Sequence, residues 1–172
     1  AIDGHLVRGD AGGVWLVFGS FWTGIKLVDL DRAPLKPPPG AELVSIARRE
    51  PPGAIEAPFI VRRGVWWHLF VSFDQCCQGV NSTYNLRVGR SRELAGPYVD
   101  RDGRPMLDGG GTLLLGSRET LIGPGHCAVL DDGGRWLLFC HAYDADRGGQ
   151  PVLVIRELAW SEDGWPEILY ES

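Results

Sequence analysis

Three residues that could do acid–base chemistry stand at matching places in three similar stretches: Asp3, Glu56 and His126. Each begins or just precedes an apolar run that reads as a strand. If those runs converge, two carboxylates and an imidazole face one hollow. One carboxylic acid held protonated near neutral pH can then deliver a proton to a leaving oxygen, as cleavage of a glycosidic bond requires. Glu56 lies in Ala54-Ile-Glu-Ala-Pro-Phe-Ile60, among small and apolar neighbours that favour the protonated form, and a nearby Asp3 acts the same way. Each residue also has a plainer reading. Glu56 could be a surface residue ahead of a strand, Asp3 an ordinary Asp-Gly turn residue, and His126, after Ile122-Gly-Pro-Gly125, a satisfied polar side chain. His5, His68 and His141 show no metal-ligand spacing with His126.

Aromatic and hydroxyl-bearing residues crowd the same strand ends: Phe21, Trp22, Phe73, Tyr84 and Tyr143, with Ser20 beside the first pair. Sugars offer C–H faces to rings and hydroxyls to polar groups. Trp22, in Gly19-Ser-Phe-Trp-Thr-Gly24, suits the rim of a cleft, and Asn81, Ser82 and Thr83 could supply hydrogen bonds. Core packing is the competing role for most of the seven tryptophans.

The elements that must position these residues form an internal repeat. Gly4–Phe21, Pro58–Phe73 and Gly125–Tyr143 each hold a short apolar strand, a turn with glycine, a tryptophan and a second apolar strand. The turns end at Gly13, Gly64 and Gly134, with Trp15, Trp66 and Trp136 two residues later; glycine supplies the positive φ of a tight hairpin turn. A weaker strand pair follows each hairpin. The segments are Ile25–Asp31 with Leu43–Ala47, Tyr84–Ser91 ending near Gly96-Pro97-Tyr98, and Val152–Trp160 ending at Gly164-Trp165-Pro166. Trp15 to Trp66 is 51 residues and Trp66 to Trp136 is 70, the longer step fitting an insertion around Asp100–Thr120. Units of about four strands and ~40–50 residues are β-propeller blades. The expectation is an all-β chain of about three four-stranded blades, near residues 1–53, 54–122 and 123–172, as one partial propeller domain. Three blades leave two apolar faces bare, which predicts completion by a partner such as a second copy.

Composition narrows the classes. The chain has 172 residues, 44% of them hydrophobic and 23% charged, so a packed core is feasible. A net charge of -5 with no basic cluster argues against a nucleic-acid surface. No apolar run reaches the ~18–20 residues of a membrane span, and no signal peptide is visible. Of the four cysteines, Cys76-Cys77 are adjacent, too constrained for an ordinary staple, while Cys127 and Cys140 lie equally far from the Gly133-Gly134 turn. Buried thiols are the expectation.

Several runs resemble one family. Ala1-Ile-Asp-Gly4, Gly19-Ser-Phe-Trp-Thr-Gly-Ile25, Glu56-Ala-Pro58, Phe73-Asp-Gln-Cys-Cys-Gln-Gly-Val-Asn-Ser-Thr-Tyr-Asn85, Val88-Gly-Arg-Ser91, Gly109-Gly-Gly-Thr112 and Gly123-Pro-Gly-His126 look like the endo-1,5-α-L-arabinanases of glycoside hydrolase family 43. The resemblance covers nearly the whole chain. It implies a five-bladed propeller that hydrolyses internal α-1,5 links of arabinan with inversion, outside the cell. By that resemblance Glu56 matches the general acid and Asp3 the carboxylate that tunes and orients it. His126 matches the residue beside an axial ion, calcium or another with water ligands. Phe21, Trp22, Ser20 and the Asn81–Tyr84 loop match the cleft that binds arabinan or arabino-oligosaccharide. The family's general base lies in a His-Asp-Pro motif of the first blade, and no such motif occurs here; the chain aligns from the third blade onward. Three alternatives stand: a hydrolase whose base comes from a partner chain, a non-catalytic arabinan-binding remnant, or a piece of a longer enzyme.

Overall fold

The computed structural model describes residues 2–19, 21–31, 34–51 and 53–170. They form twelve strands and four short 3-10 turns. The first sheet holds β1 (Ile2–Arg8), β2 (Val14–Gly19), β3 (Ile25–Leu30) and β4 (Val44–Ala47). The second holds β5 (Ile55–Arg63), β6 (Trp66–Phe73), β7 (Asn85–Ser91) and β8 (Thr112–Leu115). The third holds β9 (Leu121–Asp132), β10 (Arg135–Asp144), β11 (Gln150–Trp160) and β12 (Pro166–Ile168). Within each sheet neighbours in sequence are neighbours in space and every pairing is antiparallel. The all-β expectation of three four-stranded units therefore holds.

The first strands of the sheets form their inner edges, β1 beside β5 and β5 beside β9. His5 of β1 stacks on Phe59 of β5 with ring centres 3.9 Å apart. Two apolar cores fill the gaps between sheets. One joins Val17, Ile25 and Leu27 to Ile55, Leu69 and Val71; the other joins Phe70, Leu86 and Val88 to Leu138, Cys140 and Val154. The middle sheet has a neighbour on both faces, so seven consecutive residues of β6, Trp67–Phe73, are buried. That is why β6 reads as a nearly continuous apolar run, interrupted only by His68 and Ser72. β11 has a neighbour on one face only, and its Leu153 and Ile155 are exposed on the other.

Several local expectations are corrected. The fourth strand of the second sheet is Thr112–Leu115, inside the stretch expected to be an insertion, and not the segment near Gly96-Pro97-Tyr98. Tyr98 is instead driven into the first core, its hydroxyl donating to the Leu94 carbonyl at 2.9 Å. The first hairpin closes through a 3-10 turn at Asp10–Gly12. There Gly12 (φ 75°) takes the left-handed conformation, while Gly13 does not. Cys76 and Cys77 form a disulfide, whereas Cys127 and Cys140 are the buried free thiols expected.

Candidate active site

All three inner strands carry a bulge near the same end. In β1, pairing with β2 skips from Ile2–Gly19 to His5–Val17; in β5 it skips from Glu56–Ser72 to Phe59–Phe70; in β9 it shifts between Phe139 and His141. The bulged residues Asp3 (φ 56°), Ala57 (φ 51°) and His126 (φ 52°) all have left-handed backbone. An extra residue in αL bends a strand and re-aims its side chains. Glu56 therefore sits one residue before the position of Asp3 and His126, not at the equivalent place that sequence alignment of the repeats suggests.

Two of the three side chains approach each other directly, and Tyr84 connects Glu56 to the same region. The Asp3 carboxylate lies 3.9 Å from the His126 imidazole Nδ1. Tyr84, 1% exposed, donates its hydroxyl to Glu56 Oε1 at 2.7 Å, and feels both the Glu56 and Asp3 carboxylates. Burial, the largest cause, pushes the Tyr84 phenol far above its ordinary range, so it stays a donor. Its ring lies on Gly125, where a Cβ would fall inside the ring; only glycine fits there. His141 stands 5.8 Å from the Tyr84 ring centre and 5.6 Å from that of Tyr143. Burial and then the neighbouring His126 hold the His141 pKa below its ordinary value.

Loops at this end lock the frame. Asp74 accepts from Arg49 at 2.7 Å and from Asn85 Nδ2 at 2.8 Å. Arg49 also donates to the Ala54 carbonyl at 2.9 Å and covers the Phe73 ring at 4.3 Å. The segment entering β5 just ahead of Glu56 is thereby tied to the end of β6. The disulfide loop is held by Tyr143, whose hydroxyl accepts from the Cys77 amide at 2.9 Å.

The expected cleft residues differ in placement. Trp22 is 76% exposed and packs edge-on against Phe21 at 4.7 Å. Ser82 is buried and accepts from the Gln78 amide at 3.0 Å, while Thr83 accepts from the Gln75 amide at 3.2 Å, so both hydroxyls brace their own loop. Asn81 is exposed. Ser20 lies outside the described residues. Sequence reading treated Tyr84 only as one of several aromatics and passed over Ser72. A serine inside the apolar run of β6 is the signal that could have found it, because a fully buried hydroxyl must have partners.

For the expected ion, His126 offers one nitrogen, and among the described residues no group of three or more His, Cys, Asp or Glu side chains could hold a metal. Calcium takes about six to eight oxygen ligands. An ion held mainly by water would take its one imidazole ligand from His126, and the described side chains build no cage around it.

Comparison with known proteins bears on this arrangement. The chain is 46% identical over 167 residues to an extracellular endo-α-(1→5)-L-arabinanase of Bacillus subtilis, covering 96% of this chain and 50% of that protein. It is 40% identical over 178 residues to an extracellular exo-α-(1→5)-L-arabinofuranosidase of Cellvibrio japonicus, covering 98% and 51%. It superposes on an α-L-arabinanase of Cellvibrio cellulosa complexed with arabinohexaose with a TM-score of 0.94 and 40% identity, over 98% of this chain and 56% of that one. These structural neighbours are five-bladed β-propellers, and the chain spans about half the length of the curated relatives it matches. The model for glycosyl hydrolases family 43 matches residues 1–166, and by that match this chain belongs to the family.

Proposed function

We propose that this chain carries the acid-donating part of an arabinan-hydrolysing site, with Glu56 protonating the leaving glycosidic oxygen and Asp3 setting its electrostatic surroundings. The observation that supports it best is the grip on Glu56. Its carboxyl is held at 2.7 Å by a buried tyrosine, with the Asp3–His126 pair 3.9 Å apart in the same cluster. Substrates are α-1,5-linked arabinan and arabino-oligosaccharides, exposed Trp22 offering a face for a pentose ring. An inverting reaction needs a base ~6.5–9.5 Å from the acid to activate water. In this reading that base is supplied from outside these 172 residues, by blades that complete the ring. The reading also carries an extracellular setting, as in the relatives.

The experiment is hydrolysis of linear arabinan by the chain, alone and mixed with the part of the Bacillus subtilis relative that the match leaves uncovered, about two blades of a five-bladed ring. Release of arabino-oligosaccharides in the mixture, cut ~10²-fold or more by Glu56→Gln, is the expected outcome. Binding of arabino-oligosaccharides by calorimetry with no release in either mixture would replace it by the binding-only reading.

A further inference from the structure

The groups behind Glu56 form a line in which each can play one role only. The His126 backbone N–H donates to Ser72 Oγ at 2.9 Å. An amide N–H cannot accept, so the Ser72 oxygen takes that bond and its own hydrogen is free to turn elsewhere. Ser72 is fully buried and its side chain lies against the Tyr84 phenol; the one hydrogen of that phenol is committed to Glu56, so between the two hydroxyls only Ser72 can donate. Tyr84 in turn donates to Glu56 Oε1 at 2.7 Å. The order is therefore His126 N–H to Ser72 O–H to Tyr84 O–H to Glu56.

We propose that Ser72 and Tyr84 are positioning residues, a one-way relay polarised by the His126 amide that fixes the Glu56 carboxyl and leaves Oε2 to carry the transferable proton. The inference rests on the reading of Glu56 as the proton donor. Oε1 accepts from Tyr84 and has no reason to hold a proton; a proton on the carboxyl then sits on Oε2, the oxygen the relay leaves open. Proton transfer breaks the Oε2–H bond, forms the bond to the leaving oxygen and leaves the carboxylate, whose charge the Tyr84 donor then stabilises. The relay also gives a use to two local features. The bulge at His126, with φ 52°, turns that residue's amide toward β6 of the neighbouring sheet. Gly125, lacking a Cβ, lets the Tyr84 ring lie flat against β9.

The test has two arms on the full chain. The first needs no turnover. With tyrosine labelled at 13Cζ, the four tyrosines give four signals, and the one lost in Tyr84→Phe is Tyr84. The relay predicts that Ser72→Ala and Glu56→Gln each shift the Tyr84 signal, as does Gly125→Ala, while the signal of Tyr98, buried in the other core, stays in place and reports an intact fold. A Tyr84 signal unmoved by both Ser72→Ala and Glu56→Gln, with Tyr98 unmoved, overturns the relay whether or not the chain hydrolyses anything. The second arm uses aryl α-L-arabinofuranosides with the two complementing blades added. Tyr84→Phe should slow substrates with poor leaving groups by ~10²-fold and leave a 2,4-dinitrophenyl substrate, which needs little acid help, within a few-fold. Equal slowing of both would show that the tyrosine does not act through the acid. Shifts in the first arm with no turnover in any mixture would keep the relay and sink the hydrolase reading instead.

Discussion

Protonating His68 would place a charge in the seam between the second and third sheets, where its ring is fully buried. Nε2 donates to the Gly164 carbonyl at 3.0 Å, which leaves Nδ1, without a partner, as the site a proton would take. Trp160 meets the ring edge-on at 4.8 Å. Burial is the main cause that brings the pKa down to about 4 from 6.5; the Gly164 bond opposes it, and the Arg90 and Arg63 charges add to it. The sign follows from linkage. The folded chain holds this histidine neutral more strongly than the unfolded chain does. Its contribution is therefore complete above pH 6.5 and is lost as pH falls from there toward 4, on the order of 3 kcal/mol in all. Urea unfolding at successive pH values should show this loss, and His68→Gln should flatten that part of the profile while lowering stability at pH 7.5. Identical pH slopes for the two proteins would refute the assignment. The buried thiols tell a related story in the cysteines. Cys127 is pushed far up and Cys140 up to about 12, chiefly by burial, so neither is a nucleophile at neutral pH.

At the scale of elements, the bulges matter more than the strands. Ala57 holds φ 51° at 1% exposure, one residue after Glu56. A left-handed residue with a Cβ costs roughly 1–2 kcal/mol, and more when β-branched. Ala57→Val should therefore destabilise the chain by about 2 kcal/mol or more and misplace Glu56. The measurement is urea unfolding alongside the Tyr84 13Cζ signal; an unchanged midpoint and an unchanged signal would show that the bulge tolerates branching. These bulges mark how far the sequence could be read. The repeat of glycine, tryptophan and apolar strand revealed three sheets, because hairpin turns and period-two burial are local. The bulges are not local. Whether two residues oppose one depends on pairing register, so Glu56 was aligned with Asp3 and His126 although it precedes the bulge. The same reason hid β8. Thr112–Leu115 is four residues after three glycines, and only its pairing with β7 makes it a strand. Tyr84 was visible as an aromatic beside the cysteines, but its bond to Glu56 joins positions 28 apart and leaves no spacing signal. The sequence leaves the redox state of Cys76 and Cys77 open, because a bond between neighbours is a rare geometry that composition does not reveal.

Across the whole molecule, both end sheets present apolar side chains to solvent. Leu6 of β1 is 51% exposed, and Leu130, Leu153 and Ile155 of the third sheet are 50%, 70% and 47% exposed. In the middle sheet, with a neighbour on each side, strand β6 is buried from Trp67 to Phe73, so these are blade faces without a neighbour. Blades of a five-bladed ring are spaced about 72° apart, so three of them span roughly 216° and leave a gap of roughly 144°, room for two blades and not three. Two copies could close a six-bladed ring only if the spacing between blades shrank to about 60°, which would overpack both cores. Pairing through one face, without closure, asks for no such change and still hides part of the apolar surface. The chain should therefore show a mass that rises with concentration in light scattering, and Leu153→Glu, which puts a charge at the most exposed of these leucines, should return it toward the monomer. Addition of the two complementing blades should do the same by filling the gap, giving a one-to-one complex that no longer self-associates. A wild-type chain that stays monomeric at all concentrations, or a Leu153→Glu chain that associates as the parent does, would show that the exposed faces do not drive assembly.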